Sequence, residues 1–246
     1  MNQLRFPYTL FCAALVFFLT SCGGSDDKTG TDTTDTTTNA TSSEPAMETS
    51  TIVTTPQDMM IVRHRVANFA KWKVSYDEHD SMRLANGIHN YVIGRGVTDS
   101  NMVLVAVKVD DMAKAKAFGK DPNLKKAMQK GGVTGTPIFQ YTTNVWQDTA
   151  TLSTPVRSMT TFTVKDWTAW KNSFDSGKQL RMDNGLVDRV VGHDADDNKK
   201  VTFVAAIMDS AKANAFWKSD TLKKRRAQAG TIGQPTRFVF RVVQRY

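Results

Sequence analysis

From Val66 to the C-terminus, the sequence repeats itself at a constant offset of 98 residues and without a gap. Seven identities mark the start of the two copies: Trp72, Lys73, Ser75, Asp77, Arg83, Asn86 and Gly87 return as Trp170, Lys171, Ser173, Asp175, Arg181, Asn184 and Gly185. Later identities include Gly135 and Pro137, which return as Gly233 and Pro235. This period exceeds the roughly 20–50 residues of solenoid units. The repeat therefore predicts two copies of one small domain.

Each copy has the pattern of a β-α-β-β-α-β unit. In the first copy we predict a strand at residues 60–66, a helix at 68–85, strands at 88–94 and 103–109, a helix from 111 and a last strand from 137 to about 146. Asn68 and Asp166 are suited to cap the first helix of each copy, and an Asn-Gly pair ends it. The units are expected at residues 57–147 and 156–246, joined by residues 148–155.

Such a unit places both helices on one face of a four-stranded antiparallel sheet and leaves the other face uncovered. Val103, Val105, Val107 and Val109 share one face of a predicted strand, and we expect them to need cover from a second sheet. Two tandem copies can provide that cover for each other. The sequence therefore predicts an α+β fold in which two units pair their sheets into one eight-stranded barrel with the helices outside.

The repeated motifs resemble those of the dimeric α+β barrel superfamily. The spacing W-K-x-S-[FY]-D, then R-x-x-N-G-[IL], then D-x-A-K-A-x-A-F, then G-x-x-G-x-P is similar to small domains related to antibiotic biosynthesis monooxygenases. The resemblance covers residues 60–246 and implies ferredoxin-like units. Those domains are usually homodimers, so it also implies a fused, intrachain pseudo-dimer that is monomeric. The superfamily includes cofactor-free oxygenases, haem proteins and isomerases, so the fold leaves the activity open.

Residues 1–21 resemble a bacterial lipoprotein signal peptide. Arg5 supplies a positive charge, and residues 6–19 form an apolar run shorter than the roughly 20 residues of a bilayer-spanning helix. The run ends at Leu19-Thr20-Ser21-Cys22, which resembles a lipobox. Cleavage would leave Cys22 as an acylated N-terminus inserted in the lipid bilayer. An ordinary signal peptide cut near a chance cysteine is the alternative. We predict an outer-membrane lipoprotein of the cell envelope, periplasmic or surface-exposed.

Residues 22–56 are expected to form a disordered linker. Thr, Ser, Asp and Gly dominate this segment, and it contains no aromatic residue. Residues 1–56 hold two basic and six acidic side chains, so subtracting their −4 from the whole-chain +8 leaves +12 on the remainder. A basic body suggests an anionic neighbour or simply a solvated surface. No nucleic-acid partner is expected outside the cytoplasm, and the chain has no RNA-binding stacking motif.

The resemblance also implies a ligand cleft between the helices and the sheet of each unit. Its lining would be Trp72, Tyr76, His79 and Arg83 in the first unit, and Trp170, Phe174, Gly177 and Arg181 in the second. His79 is the candidate catalytic base, and Arg83 is the candidate group to hold a developing oxyanion. The ligand-binding candidates are Trp72, Tyr76, Trp170, Phe174 and Arg181. The copies differ at Tyr76, which becomes Phe174, and at His79, which becomes Gly177.

Every one of these residues also has a structural interpretation. Trp72 and Trp170 recur at helical spacing and are suited to a core. His79 can be a boundary histidine, and Arg83 and Arg181 are cations in a last helical turn, where the helix dipole favours them. The four histidines lack metal-binding spacing and no thiol remains after Cys22, so we predict no metal and no cofactor, with haem left open.

Three functions are consistent with the sequence. The first is an envelope lipoprotein that binds a small aromatic or apolar molecule in a helix–sheet cleft. The second is a cofactor-independent, monooxygenase-like enzyme that acts on a phenolic or enolic substrate with His79 as its base. The third is a structural or interaction module without a ligand.

Overall fold

The computed structural model describes residues 50–246, so the predicted signal peptide, Cys22 and most of the linker lie outside the described residues. The first unit comprises β1 (Ile52–Val53), β2 (Gln57–Val66), α1 (Phe69–Glu78), α2 (Asp80–Leu84), β3 (Ile88–Gly96), β4 (Met102–Val109), α3 (Met112–Gly119), α4 (Pro122–Lys130) and β5 (Val133–Asp148). The second comprises β6 (Val156–Val164), α5 (Trp167–Asp175), α6 (Lys178–Asp183), β7 (Leu186–Asp194), β8 (Lys200–Ile207), α7 (Ser210–Lys218), α8 (Asp220–Gln228) and β9 (Thr231–Arg245).

Eight of the strands close a ring. Their order is β5-β2-β4-β3-β9-β6-β8-β7, every pairing is antiparallel, and β7 pairs with β5 to complete the circle. The short strand β1 adds to β5 outside the ring. Two junctions, β3–β9 and β5–β7, join the first unit to the second. The eight-stranded barrel predicted from the tandem repeat is therefore confirmed.

Helices α1, α3, α5 and α7 each begin at a residue whose side chain caps the helix. Asn68, Asp111, Asp166 and Asp209 each accept a hydrogen bond from the backbone N–H three residues later. Each of these bonds satisfies one of the N–H groups that have no partner within the helix. The repeated Asn and Asp residues thus fix where the chain leaves the sheet and starts to cover it.

The predicted helix over residues 68–85 is two helices, because the chain breaks at His79. The Nδ1 atom of His79 lies 2.6 Å from the Ser75 carbonyl oxygen, the acceptor that the backbone N–H of residue 79 would use in a continuous helix. That N–H instead donates to the Asp77 carbonyl. The second unit breaks at the same place, where Gly177 precedes α6.

The core has three parts. One lies between the helices and the sheet of the first unit, another occupies the same place in the second unit, and a third fills the barrel around Ile61, Leu104, Met159 and Phe240. The four valines from Val103 to Val109 belong to the first part. Our expectation that a second sheet covers them was wrong: helices cover them, and Leu104 on the opposite face of β4 lies inside the barrel. None of the helices within residues 50–246 has both the length and the apolar character to span a membrane.

Candidate functional site

Each unit has a cleft between its helices and the outer face of its sheet. The first cleft encloses about 620 Å³ of empty space, counting the part open to solvent, and the second about 730 Å³. The walls of the first cleft include His64, Trp72, Tyr76, His79, Met82 and Arg83. Those of the second include Phe162, Trp170, Phe174, Gly177, Leu180 and Arg181. The structure thus places all eight predicted lining residues in the two clefts.

Aromatic rings form one wall of the first cleft. Trp72 and Tyr76, one turn apart on α1, stack with their ring centroids 5.1 Å apart. The Trp72 ring also lies 5.4 Å from the His64 imidazole on β2. The other walls are mainly aliphatic and include Met60, Val62 and Val105. Such a surface favours a flat apolar ligand, because aromatic contacts add to the free energy of burying apolar area.

His64 is the one buried polar side chain in this cleft that has no hydrogen-bond partner within residues 50–246. The residue is 3% exposed, and neither ring nitrogen has a partner. Burial lowers the pKa of the imidazole from 6.5 to about 4, so the ring is neutral at pH 7. A neutral imidazole offers one N–H donor and one nitrogen acceptor. A buried polar group without a partner is costly, so His64 is suited to meet a polar group of a ligand.

His79 lies at the rim of the first cleft, where α1 ends. The neutral imidazole carries its proton on Nδ1, because that nitrogen faces the Ser75 carbonyl oxygen at 2.6 Å. The other nitrogen, Nε2, is then the basic one. A hydrogen bond that fixes the tautomer in this way is a common support for a general base.

Arg83 and Tyr76 form a network that leaves neither polar group free for a ligand. The guanidinium lies over the Tyr76 ring at 3.7 Å and donates to the Tyr76 carbonyl, to Asn90 Oδ1 and to Asp80 Oδ1. The Tyr76 hydroxyl donates to the same Asn90 oxygen over 2.5 Å. The pKa of the Tyr76 hydroxyl is raised above its ordinary value, mainly because the group is buried. Arg83 therefore fixes α1 and α2 to β3 and gives the cleft a rigid wall.

Arg181 plays the corresponding part in the second cleft. Its Nε and Nη2 atoms donate to the two carboxylate oxygens of Asp188 at 2.8 and 2.6 Å, and Nη1 donates to the Phe174 carbonyl. The guanidinium lies 3.6 Å from the Phe174 ring centroid. Trp170 packs against the same ring at 5.0 Å. Arg181 and Asp188 neutralise each other, so this arginine contributes little net charge to the cleft.

Sequence reasoning missed His64 as a site residue, although the repeat contains the signal. The equivalent position in the second unit is Phe162, so His64 is unique to one copy, as His79 is. The alternation along β2 placed His64 on the face of Val62 and Val66, and that face turns out to be the one beneath the helices. Its burial depends on which face the helices cover, which the alternation alone leaves undecided.

The residues of the first cleft do not suit a metal ion or haem. Within residues 50–246, no three His, Cys, Asp or Glu side chains come together in an arrangement that could hold a metal. His64 has the imidazole that a haem iron would need. Haem also carries two propionates, and Arg83, the one arginine in the described lining of this cleft, is already engaged by Asp80 and Asn90. The lining therefore favours an uncharged ligand.

Comparisons with solved structures agree on the architecture. A candidate monooxygenase from Fusobacterium nucleatum is 12% identical with a TM-score of 0.50, and the match covers 77% of this chain and 93% of that one. An anthrone oxidase-like protein is 12% identical with a TM-score of 0.54 and coverages of 78% and 94%. A haem-binding protein from Thermus thermophilus is 10% identical with a TM-score of 0.47 and coverages of 78% and 93%. No protein-family model and no curated protein matches the sequence. The first two likenesses, with TM-scores of 0.50 and 0.54, establish a shared α+β barrel fold.

Proposed function

We propose that this chain is an envelope lipoprotein whose folded part binds a small, uncharged aromatic molecule in the first cleft. One observation carries the binding proposal: His64 is buried among apolar walls, and both of its ring nitrogens lack a partner within residues 50–246. A ligand with an apolar ring and a single hydroxyl or carbonyl group would satisfy the imidazole. A charged ligand is disfavoured there, because burial penalises charge and Arg83 is already engaged.

The walls of the first cleft support the same class of ligand. Trp72 and Tyr76 present a stacked aromatic surface, and Met82 and Met128 supply flexible apolar side chains that adapt to ligand shape. The network around Arg83 holds these elements in place before any ligand arrives. Preorganised walls raise affinity, because less conformational freedom is lost on binding.

A pair of ligands that differ by one hydroxyl tests the role of His64. We expect the protein to prefer 1-naphthol over naphthalene, because only the naphthol can pair with the imidazole. In His64→Phe, which installs the residue of the second unit, the preference should fall by about 1–2 kcal/mol, or roughly fivefold to thirtyfold in Kd. Titration followed by tryptophan fluorescence measures both affinities.

Phe162→Leu is the matched control, since it alters the equivalent position of the second cleft. It should leave the preference for naphthol unchanged. A His64→Phe protein that keeps the full preference would refute the binding role of His64. Absence of binding by both ligands, in a protein shown to be folded, would favour an interaction module without a ligand.

A second candidate is a cofactor-independent oxygenase with His79 as its base. The contact with Ser75 favours it, because it fixes the tautomer in which Nε2 can accept a proton. An anthrone oxidase-like protein shares the fold. The corresponding reaction converts the CH2 that lies across the central ring from an enolisable ketone into a second carbonyl; dioxygen supplies that oxygen, and its second atom leaves with both hydrogens as water. Nε2 would accept the first of those protons.

Oxygen consumption tests this candidate. With anthrone as substrate, the enzyme should consume one dioxygen for each quinone formed, and His79→Gly, which installs the residue of the second unit, should lower the rate by about 10²-fold or more. An equal rate in both proteins would remove His79 from the mechanism. No oxygen uptake by the wild type would leave ligand binding as the function of the cleft.

The anchoring part of the proposal is supported by Leu19-Thr20-Ser21-Cys22. We expect the mature protein to fractionate with the outer membrane and to incorporate labelled palmitate. Cys22→Ser should abolish the label, since the sulfur that carries the diacylglyceryl group is gone. Labelled protein in the Cys22→Ser strain would contradict acylation at this residue.

A further inference from the structure

The second cleft is more polar and more basic than the first, although the two occupy equivalent places in their units. Three apolar residues of the first cleft, Ala127, Met128 and Phe139, correspond to Arg225, Arg226 and Arg237 in the second. On the floor, Met60 and Val62 correspond to Ser158 and Thr160, which are 2% and 5% exposed. The second cleft is therefore more polar than the first both on its helical wall and on the sheet that forms its floor.

The three arginines bring positive charge that no carboxylate balances. None of them forms an ion pair within residues 50–246, whereas Arg181 in the same cleft is paired with Asp188. The Nε atom of Arg237 is buried without a hydrogen-bond partner within residues 50–246, and so is the hydroxyl of Thr231, which also lines the cleft. Buried donors without acceptors are costly. An acceptor that enters the cleft would satisfy them.

All three arginines line this one cleft. Burial, and then the positive charge of Arg226, lower the pKa of Arg237 from 12.5 to about 10. The guanidinium of Arg237 lies 3.9 Å from the centroid of the Trp217 ring. Gly177 leaves room for the third cation: a Cβ there would lie 2.9 Å from Arg225 Nη2, so the space that a side chain would need is filled by the guanidinium. The second unit thus has Gly177 where the first has His79, and this glycine makes room for Arg225, which stands where the first unit has Ala127.

The second cleft also has apolar walls. Trp170, Phe174, Phe203 and Leu222 line it, and Phe174 and Phe203 pack edge to face at 4.8 Å. A small inorganic anion would contact the arginines and leave these walls without a partner. An uncharged ring would cover the walls and leave the cations without an anion. A molecule with both parts matches the whole surface.

We propose that the second cleft is a separate site for an amphiphilic organic anion, with an apolar or aromatic body on Trp170 and Phe174 and an acidic head on Arg225, Arg226 and Arg237. The head can be a carboxylate, sulfonate or phosphate, since arginine binds each of them through paired N–H groups. The site is independent of the first cleft and of its ligand.

Two dyes that share a skeleton test this proposal. 1-Anilinonaphthalene-8-sulfonate carries the acidic head, and N-phenyl-1-naphthylamine is the same molecule without it. The full chain is used with Cys22→Ser, so that acyl chains and detergent do not bind the dyes. Calorimetry should show tighter binding of the sulfonate than of the amine, and the affinity of the sulfonate alone should fall as salt is raised.

The first cleft supplies the matched variants. Arg237→Phe and Arg226→Met each install the residue of the first unit and should weaken the sulfonate about tenfold to a hundredfold, the loss expected for a charge-assisted hydrogen bond. The amine should change less than about threefold. Arg237→Lys should recover part of the sulfonate affinity. Phe139→Asn in the first cleft should leave the sulfonate unaffected.

Energy transfer locates the sulfonate. When tryptophan is excited, energy transfer makes the bound sulfonate dye fluoresce. This dye emission should fall in Trp217→Phe, which alters the second cleft, and should persist in Trp72→Phe, which alters the first. Equal sulfonate affinity in the wild type, Arg237→Phe and Arg226→Met, with all three folded by circular dichroism, would overturn the proposal. So would a sulfonate that binds no tighter than the amine. Neither result bears on the naphthol preference assigned to His64, so the two proposals can fail separately.

Discussion

Tyr76 and Asn90 change together between the two units. In the first, the Tyr76 hydroxyl and the Arg83 guanidinium both donate to Asn90 Oδ1. In the second, Phe174 has no hydroxyl, and Asp188 accepts two bonds from Arg181 instead. A charged carboxylate satisfies the guanidinium without help from a phenol. The difference between Tyr76 and Phe174 therefore belongs to the support of the helices, whereas His64 and the three arginines of the second cleft are differences in the cleft linings.

The lowered pKa of His64 predicts a pH-dependent stability. The folded protein takes up a proton on this ring only near pH 4, whereas the unfolded chain does so near pH 6.5. The unfolded state thus binds more protons between these values, and the free energy of unfolding falls as pH drops through that window. The loss is about 3 kcal/mol, from 1.36 kcal/mol for each pKa unit.

Urea unfolding of the wild type and His64→Phe at pH 7, 5.5 and 4 measures this term. The stability of the wild type should fall relative to the variant as pH is lowered. Other titrating groups are common to both proteins and cancel in the difference. Parallel curves for the two proteins would show that His64 does not titrate as described.

The two helix-anchoring arginines should differ in their contributions to stability. Asp188 is 7% exposed, so Arg181→Met would leave a buried carboxylate without its partner and should cost about 3–5 kcal/mol. Arg83→Met should cost less, about 1–2 kcal/mol, because Asn90 is neutral and the Asp80 side chain is 45% exposed. Urea unfolding with unchanged m-values measures both.

The double variant Arg181→Met/Asp188→Asn is the control for this comparison. The Asp188→Asn change removes the buried charge that Arg181→Met leaves without a partner, and it installs the asparagine that the first unit has at Asn90. The double variant should be more stable than Arg181→Met alone. Equal costs for the two single variants would mean that the Asp188 carboxylate does not depend on Arg181.

At the scale of elements, the sequence predicts the order of strands and helices well and their faces less well. The 98-residue offset, the Asn and Asp caps and the Asn-Gly ends indicate the four main strands and the two helical regions of each unit, but neither the short strand β1 nor the division of the helical regions into two helices. The break falls at His79 in one unit and at Gly177 in the other, so it does not require the His79 side chain, and helical periodicity does not reveal it. The arginines of the second cleft come from α8 and β9, so only the folded sheet brings them together.

The junction of β3 with β9 depends on a glycine. Gly94 pairs with Val242, and a Cβ at Gly94 would collide with the ring of Phe240, a buried residue of the barrel interior. Gly94→Val should cost about 1–3 kcal/mol through overpacking, and Phe240→Ala about 3–5 kcal/mol through the cavity it leaves. The two changes relieve each other, so the double variant should cost at least about 0.5 kcal/mol less than their sum.

A double-mutant cycle in urea unfolding measures this coupling. Additive costs would show that Phe240 does not limit the side chain at residue 94. Gly192, the equivalent residue, lies at the other junction, and a Cβ there would lie 2.7 Å from the backbone oxygen of Thr143. A substitution can shorten the Phe240 side chain but cannot remove the Thr143 backbone oxygen. Gly192→Val should therefore be destabilising whichever other residue is changed with it.

At the scale of the whole molecule, the barrel is closed by contacts between the two units. Both junctions are strand pairings, and Ile61 and Leu104 from the first unit meet Met159 and Phe240 from the second in the interior. The linker is fixed to this barrel as well. Arg189 donates to the carbonyl of Ala150, and Arg157 donates to that of Thr154. The connection is therefore a small part of what keeps the halves together.

Cutting the linker should not separate the two units. With a protease site inserted between Leu152 and Ser153, the cleaved halves should elute as one species in size-exclusion chromatography under native conditions. They should dissociate only in the range of urea that unfolds the uncut protein. Halves that separate in buffer would show that the covalent link supplies most of the association.

A barrel made by two identical chains must carry every substitution twice, once in each cleft. The linker at residues 148–155 removes that constraint, because each cleft is encoded by its own stretch of sequence. A cation introduced near Trp217 then has no effect on the surroundings of Trp72. One molecule can in this way hold two dissimilar ligands at a fixed separation, a stoichiometry of one plus one that a symmetric pair of chains cannot produce.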